Sequence, residues 1–308
     1  MEHTLTNDAQ RPLPIRGYDN RNRRFAHLTA AGLTERVEAL GYDDAEFIVV
    51  ERIPYMPHDT IQAARSDDVE PLTVSYRIGD ETWMEAEVPA DRAPALFLAW
   101  ARNEPGWQGD LPWEAAEWWE QTDPPETEPE TAAWAADRAA RYIAEGYLDF
   151  DAMVENMHEM SEHDPQLSTV QARAILSPLW RERVAEQAGW GETDCDLLTD
   201  AFARLDDDGV IARENFACCQ NCGTSEIWGH AEERHRGYVF FHMQDTERAP
   251  DGSLYLSYGS RSNTDESVAA IGAEVVKTLG EHGLRTEWDG SNKSRIVVTD
   301  LDWRRRLQ

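Results

Sequence analysis

Residues 194–217 read DCDLLTDAFARLDDDGVIARENFA, and within them the chain changes architecture. Leu197, Leu198, Ala201, Phe202 and Leu205 recur with a period of about 3.6, the mark of a helix that buries one face, and Asp194 is expected to cap it. The acidic turn at Asp206 to Gly209 ends that pattern, and 210–217 reads as a strand. Upstream, 134–147, 151–160 and 170–188 read as amphipathic helices, with Pro178 expected to kink the third. Downstream, strands are expected over 238–243, 254–258, 284–288 and 295–299, with helices near 224–234 and 265–281. Helices first and strands later predict an α+β domain over 131–308, a helical segment leading into a mixed, largely antiparallel five-stranded sheet. No glycine-rich phosphate loop follows any of these strands, so nucleotide binding by that route has no support.

Working outward, the clearest boundary is acidic. From Asp110 to Glu130 there are eight carboxylates and no Lys or Arg, and 121–130 reads QTDPPETEPE. Proline removes backbone donors and like charges repel, so 121–130 is expected to be an extended linker. Residues 1–24 are polar, with Arg11, Arg16, Arg21, Arg23 and Arg24, and are expected to form a flexible arm. Between them, 25–120 reads as a small helix, three-strand, helix domain. Leu33, Val37 and Leu40 mark a helix ending at Gly41, and strands are expected over 46–53, 72–78 and 82–88, the last two joined at Gly79-Asp80. Asp91 is expected to cap a helix carrying Leu96, Phe97 and Trp100, and Trp107, Trp113, Trp118 and Trp119 follow. The strand FIVVER (47–52), the segment WMEAEV (83–88) and the run into Glu104-Pro-Gly-Trp107 make this part resemble TY-Chap domains, a bacterial type III secretion chaperone-like fold.

The 308 residues carry 29 Lys+Arg against 59 Asp+Glu, a net charge of −30. That length and 41% hydrophobic residues suffice for two ordinary cores. So negative a chain argues against nucleic acid, whose phosphates select basic surfaces. No apolar run approaches the roughly 20 residues of a membrane helix, and no export signal opens the chain. A cytoplasmic protein that contacts neither membrane nor nucleic acid is therefore expected. Acidic surface interleaved with tryptophan suits a protein partner with a basic, arginine-rich surface.

Three motifs come close to known sites. His158-Glu159-Met-Ser-Glu162-His163 lacks the second histidine that an i, i+4 zinc site needs, so ordinary helix-face pairs of His158 with Glu162 and Glu159 with His163 are expected. Asp206-Asp-Asp208-Gly209 imitates a calcium loop, but Arg204 and Asn215 stand where that loop needs an acidic ligand and a bidentate glutamate. Arg304-Arg305-Arg306 is expected to pair with the protein's own carboxylates.

One constellation carries chemistry. Phe216-Ala-Cys218-Cys219-Gln-Asn-Cys222-Gly223 is followed by Gly237-Tyr-Val-Phe-Phe-His242-Met-Gln244-Asp245-Thr246-Glu247, then by LYLSYG (254–259) and LDWRRR (301–306). This order over about 135–308 resembles an uncharacterised bacterial family of domains of unknown function; the resemblance implies a shared fold and brings no activity with it. Three readings of the residues stay open. In the first, Cys219 and Cys222 form a zinc knuckle, with Gly223 letting backbone amides turn toward the thiolates. Cys218, His230, His235 or His242 would then complete the ligand set. In the second, the CxxC at a helix start does thiol chemistry, either redox or with His242 as base oriented by Asp245 or Gln244. In the third, the thiols and His242 only pack, and this is the base expectation. The resulting expectation is a protein-interaction or regulatory protein with no assigned catalytic residue. Its alternative is a zinc or thiol-redox site at Cys218, Cys219, Cys222 and His242.

Overall fold

The computed structural model describes residues 10–40, 46–65, 71–79, 81–118, 124–162 and 165–308. The chain divides into two units, Met1–Glu126 and Thr127–Leu307, and the class of the whole is α+β.

In the first unit, the strands are β1 (Ile15–Asp19), β2 (Phe25–Ala26), β3 (Phe47–Arg52), β4 (Thr60–Ala64), β5 (Leu72–Arg77), β6 (Met84–Val88) and β7 (Glu114–Ala115). They form one antiparallel sheet in the order β2-β1-β3-β4-β5-β6-β7. Ile48, Val50, Ile61, Val74 and Val88 share a buried core with Leu33 and Val37 of α1 (Ala30–Glu38) and Phe97 and Trp100 of α2 (Ala93–Ala101). Thr29 caps α1 through the Gly32 amide.

This sheet is wider than the three strands expected. β4 (TIQAA) buries only Ile61 and Ala63, too short an alternation to stand out. The arm expected over 1–24 is, from Ile15 onward, an inner strand paired with β3. Its polar residues have partners: Arg16 pairs with Glu51 at 3.0 Å, and Arg23 pairs with the buried Asp19 at 2.7 Å. Gly17 is required where it stands, because a Cβ there would lie 2.1 Å from the Val49 carbonyl oxygen. Asp91 does not cap α2; Arg92 holds that position without a side-chain bond, and Pro94 sits in the first turn, where no donor is missed. Trp107 and Trp113 pack edge-on against Tyr76. Gly41, Asp80 and Trp119 lie outside the described residues.

The second unit opens with α3 (Pro129–Glu145), α4 (Phe150–Glu159), α5 (Thr169–Gln187) and α6 (Asp194–Asp207). α3 begins inside the expected linker, with Pro129 at its start; residues 121–123 lie outside the described residues. Thr193, not Asp194, caps α6: it exchanges bonds with Asp196 in a capping box. The Asp194 carboxylate instead accepts the Asp302 amide at 2.8 Å. There follow β8 (Val210–Arg213), α7 (Gln220–Glu226), β9 (Gly237–Phe240), α8 (Met243–Thr246), β10 (Ser253–Ser260), α9 (Asp265–Glu281), β11 (Arg285–Glu287) and β12 (Ile296–Thr299).

The five strands lie in the order β11-β12-β10-β9-β8, antiparallel except for β8 and β9. Val239, Leu254, Leu256, Ile296 and Val298 pack against Leu198, Phe202 and Leu205 of α6 and Ile271, Val275 and Leu279 of α9. The C-terminal arginines pair as expected: Arg304 with Asp302, Arg305 with Glu214 and Arg306 with Asp196. Among the described residues, no helix is long and apolar enough to cross a membrane.

Candidate metal centre

The site is built on the parallel pair β8 and β9. Past the strand ends the two segments keep running side by side: the Phe216 amide donates to the Phe241 carbonyl at 2.8 Å, and the Met243 amide to the Ala217 carbonyl at 3.2 Å. Ala217 then takes a left-handed conformation, φ 60°, which an alanine adopts only under constraint. This corner turns Cys218 and Cys219 off the end of the strand. Cys219 is extended and its carbonyl accepts the Gly223 amide at 2.9 Å, starting α7. Cys219 and Cys222 are three residues apart, so they share one face of that first turn.

The outcome is a trio of thiols. The sulfurs of Cys218, Cys219 and Cys222 all lie within 4.8 Å of one another, the one such group of three potential metal donors among the described residues. Cys218 is exposed, and Cys219 and Cys222 are half-buried. The Cys222 backbone amide, with the thiols of Cys222 and Cys218, holds the Cys219 thiol below its ordinary pKa. Hydrogen bonding to Cys218 and Cys219, together with their charge, pushes Cys222 up to about 12. The trio thus releases its first proton readily and its last with difficulty, as interacting sites do.

Gly223 serves a purpose other than the one its place after a CxxC suggests. It lies inside α7 without a positive φ, and a Cβ there would lie 2.4 Å from the Phe240 ring. Its bare backbone lets the helix seat on β9, where Ile211, Ile227, Tyr238 and Phe240 form a small separate core.

His242 follows β9 and is buried, as is Asp245 three residues on. Its Nε2 lies 3.0 Å from Asp245 Oδ2, and its backbone amide donates to the same oxygen at 3.2 Å. Arg295, immediately before β12, donates to both carboxylate oxygens. Burial, with Arg295 and Arg248 nearby, lowers the His242 pKa against the pull of Asp245, so the ring is neutral near pH 7. A neutral ring facing a carboxylate carries its proton on Nε2. Its Nδ1 is buried without a well-formed hydrogen bond, although the Asp245 amide faces the side chain in a capping box.

Cys219 and His242 line one polar cleft of about 380 Å³, with Asp245, Arg248 and Arg295 on its walls. The imidazole nonetheless stays outside the group of three sulfurs. His230 and His235 are placed elsewhere: His230 packs edge-on against Phe216, and His235 Nδ1 accepts the Glu232 amide at 2.8 Å. Cys195 is a core residue of α6 whose thiol burial pushes up to about 12.

The remaining motifs are occupied structurally. His158 Nδ1 lies 2.7 Å from the Leu167 carbonyl oxygen, and His163 lies outside the described residues. Asp206 accepts from Arg213 and from the Ala212 amide, which uses up the mock calcium ligand in holding the helix-to-strand turn. Arg295 belongs to the site without any signal near Cys219 or His242 in sequence.

A family model described as Domain of unknown function (DUF6891) matches residues 128–307. The chain belongs to that family. The DUF6891 domain takes in the second unit from α3 to the C-terminal arginines, and with it all three thiols, His242, Asp245 and Arg295. No curated protein matches the chain, and no solved structure does.

Proposed function

We propose that the DUF6891 domain binds one soft divalent cation, zinc before others, through the thiolates of Cys218, Cys219 and Cys222, with the His242 imidazole as fourth donor. The convergence of the three sulfurs within 4.8 Å carries this reading. Thiolates favour zinc over the hard cations that oxygen ligands take, and zinc prefers four such donors in a tetrahedron.

Support for His242 comes from its buried Nδ1 without a well-formed hydrogen bond, its place beside Cys219 in the cleft and the carboxylate on its other nitrogen. Metal-bound histidines characteristically donate their second N–H to such a carboxylate. Since the ring lies outside the thiol group, a bound ion would draw the two together across the cleft. With His242 as fourth donor no position is left for water, which gives the ion a structural role and supports reading the domain as a binding or regulatory module.

Cobalt(II) titration tests this reading. One equivalent per chain should raise thiolate-to-cobalt absorption and the strong visible bands of a tetrahedral site, and zinc should displace it. Cys219→Ser and Cys222→Ser should abolish the thiolate bands, and His242→Ala should shift the visible ones. Cobalt spectra of a hydrated ion would overturn the assignment.

A partner with a basic surface is proposed beside it, supported by the charge of −30 and by Trp118, which is exposed next to Glu85 and Trp83. For the first unit, the TY-Chap reading draws on the two helices packed over an antiparallel sheet and fits such a role. Binding of an arginine-rich peptide should weaken steeply with salt and quench tryptophan emission. A salt-independent signal would contradict it.

A further inference from the structure

The same trio has an exposed side. Cys218 is open to solvent, and its sulfur lies within 4.8 Å of both half-buried thiols. Sulfurs within 4.8 Å of one another need close by only a few ångströms to reach the S–S bond length of about 2.05 Å. The fourth cysteine, Cys195, is sealed in the α6 core and cannot take part.

We propose that the metal site is also a thiol–disulfide switch: a small-molecule disulfide closes a bond within the trio, with Cys218 as its point of entry, and so releases the ion. This deepens the zinc reading and rests on it. In the first step the Cys218 thiolate attacks one sulfur of the disulfide RSSR, its S–S bond breaks and RS⁻ leaves. In the second, the Cys222 sulfur, which the bound ion holds as a thiolate, attacks the Cys218 sulfur of the mixed disulfide and expels the second RS⁻. Two electrons pass from the two protein thiolates to RSSR, which ends as two thiolates, and the protein ends with one disulfide. Two of the ion's thiolate donors are then gone. Cys219 and His242 alone do not hold zinc against solvent, because a stable site needs four protein donors or three and a water. A dithiol reductant reverses the bond and restores the site.

The experiment uses the zinc-loaded full chain and oxidised glutathione, with released zinc read by a chromogenic chelator and the protein by intact mass. The expected result is one zinc released for each chain that loses two hydrogens, reversed by dithiothreitol, with a Cys218–Cys222 link in the peptide map. Cys195→Ser should behave as the parent. In the zinc-free chain, where no variant's metal affinity matters, Cys218→Ser should slow disulfide closure by about tenfold, since the exposed attacking thiol is gone. Zinc retained through full oxidation, release with only a lasting glutathione adduct, or closure in Cys218→Ser at the parent rate would each overturn the switch. A chain that takes up no zinc at all overturns the metal reading first and the release with it; uptake without release overturns the switch alone.

Discussion

Arg295 meets Asp245 across 50 residues of sequence through two parallel hydrogen bonds, Nη1 to Oδ1 at 2.9 Å and Nη2 to Oδ2 at 2.5 Å. The same guanidinium donates to the Tyr255 carbonyl at 2.6 Å, so it ties the loop that carries His242 to β10. Arg295→Met leaves a buried carboxylate without its countercharge and should cost about 3 to 5 kcal/mol in urea unfolding. Adding Asp245→Asn should recover part of that loss. Strictly additive costs would mean that the pair does not couple.

Gly223 and Phe240 define the seat of α7. Gly223→Ala places a methyl carbon 2.4 Å from the ring and should cost about 1 to 3 kcal/mol, read as a lower unfolding temperature. Phe240→Leu in the same chain should return part of it by making room. If the alanine variant melts like the parent, the helix is not seated as described.

Glu145, the last residue of α3, is an acid that keeps its proton well above the ordinary carboxylate range. Burial first, and the Glu247 charge second, raise its pKa to about 7, against the opposing pull of Arg138 and Arg141. Its folded value lies above its unfolded one, so the folded state holds a proton that the unfolded state gives up. Stability from this group is full at low pH and is lost as pH rises through about 7. Glu145→Gln should change little at pH 5 and raise the melting temperature by about 2 to 4 °C at pH 8, allowing for partial solvent screening. A gain at both values would assign the effect to something other than titration.

Asp206 has the opposite sign. Burial alone would raise its pKa, but Arg213, the Ala212 amide and Arg234 together lower it. Its stabilisation is present above the unfolded value of about 3.9 and is lost as pH falls through the lower folded value. Asp206→Asn should therefore cost about 1 to 2 kcal/mol at pH 7 by chemical denaturation. The gap to the parent should narrow toward pH 2, and a constant gap would contradict the ionic account.

These contrasts show where the fold was legible. β9, β10 and β12 are rich in Val, Ile, Leu and aromatic residues, and α6 keeps its buried face in strict helical period, so each announces itself locally. Thr60–Ala64 does not, because it is a strand by virtue of its neighbours on either side. Ile15–Asp19 was hidden because Arg16 within it and Arg23 just after it signal solvent until Glu51 and Asp19 are seen beside them. At the site, the CCxxC spacing brings three thiols together by local geometry alone. Arg295 reaches Asp245 only through the register of β10 and β12, and Gly223 in α7 owes its identity to the Phe240 ring of β9; neither relation has a local trace.

The most direct test of the central claim is zinc K-edge X-ray absorption on the full chain carrying one equivalent of zinc. The account predicts three sulfur scatterers at about 2.3 Å and one nitrogen at about 2.0 Å, with the nitrogen replaced in His242→Ala. A first shell made of oxygen and nitrogen alone would contradict it.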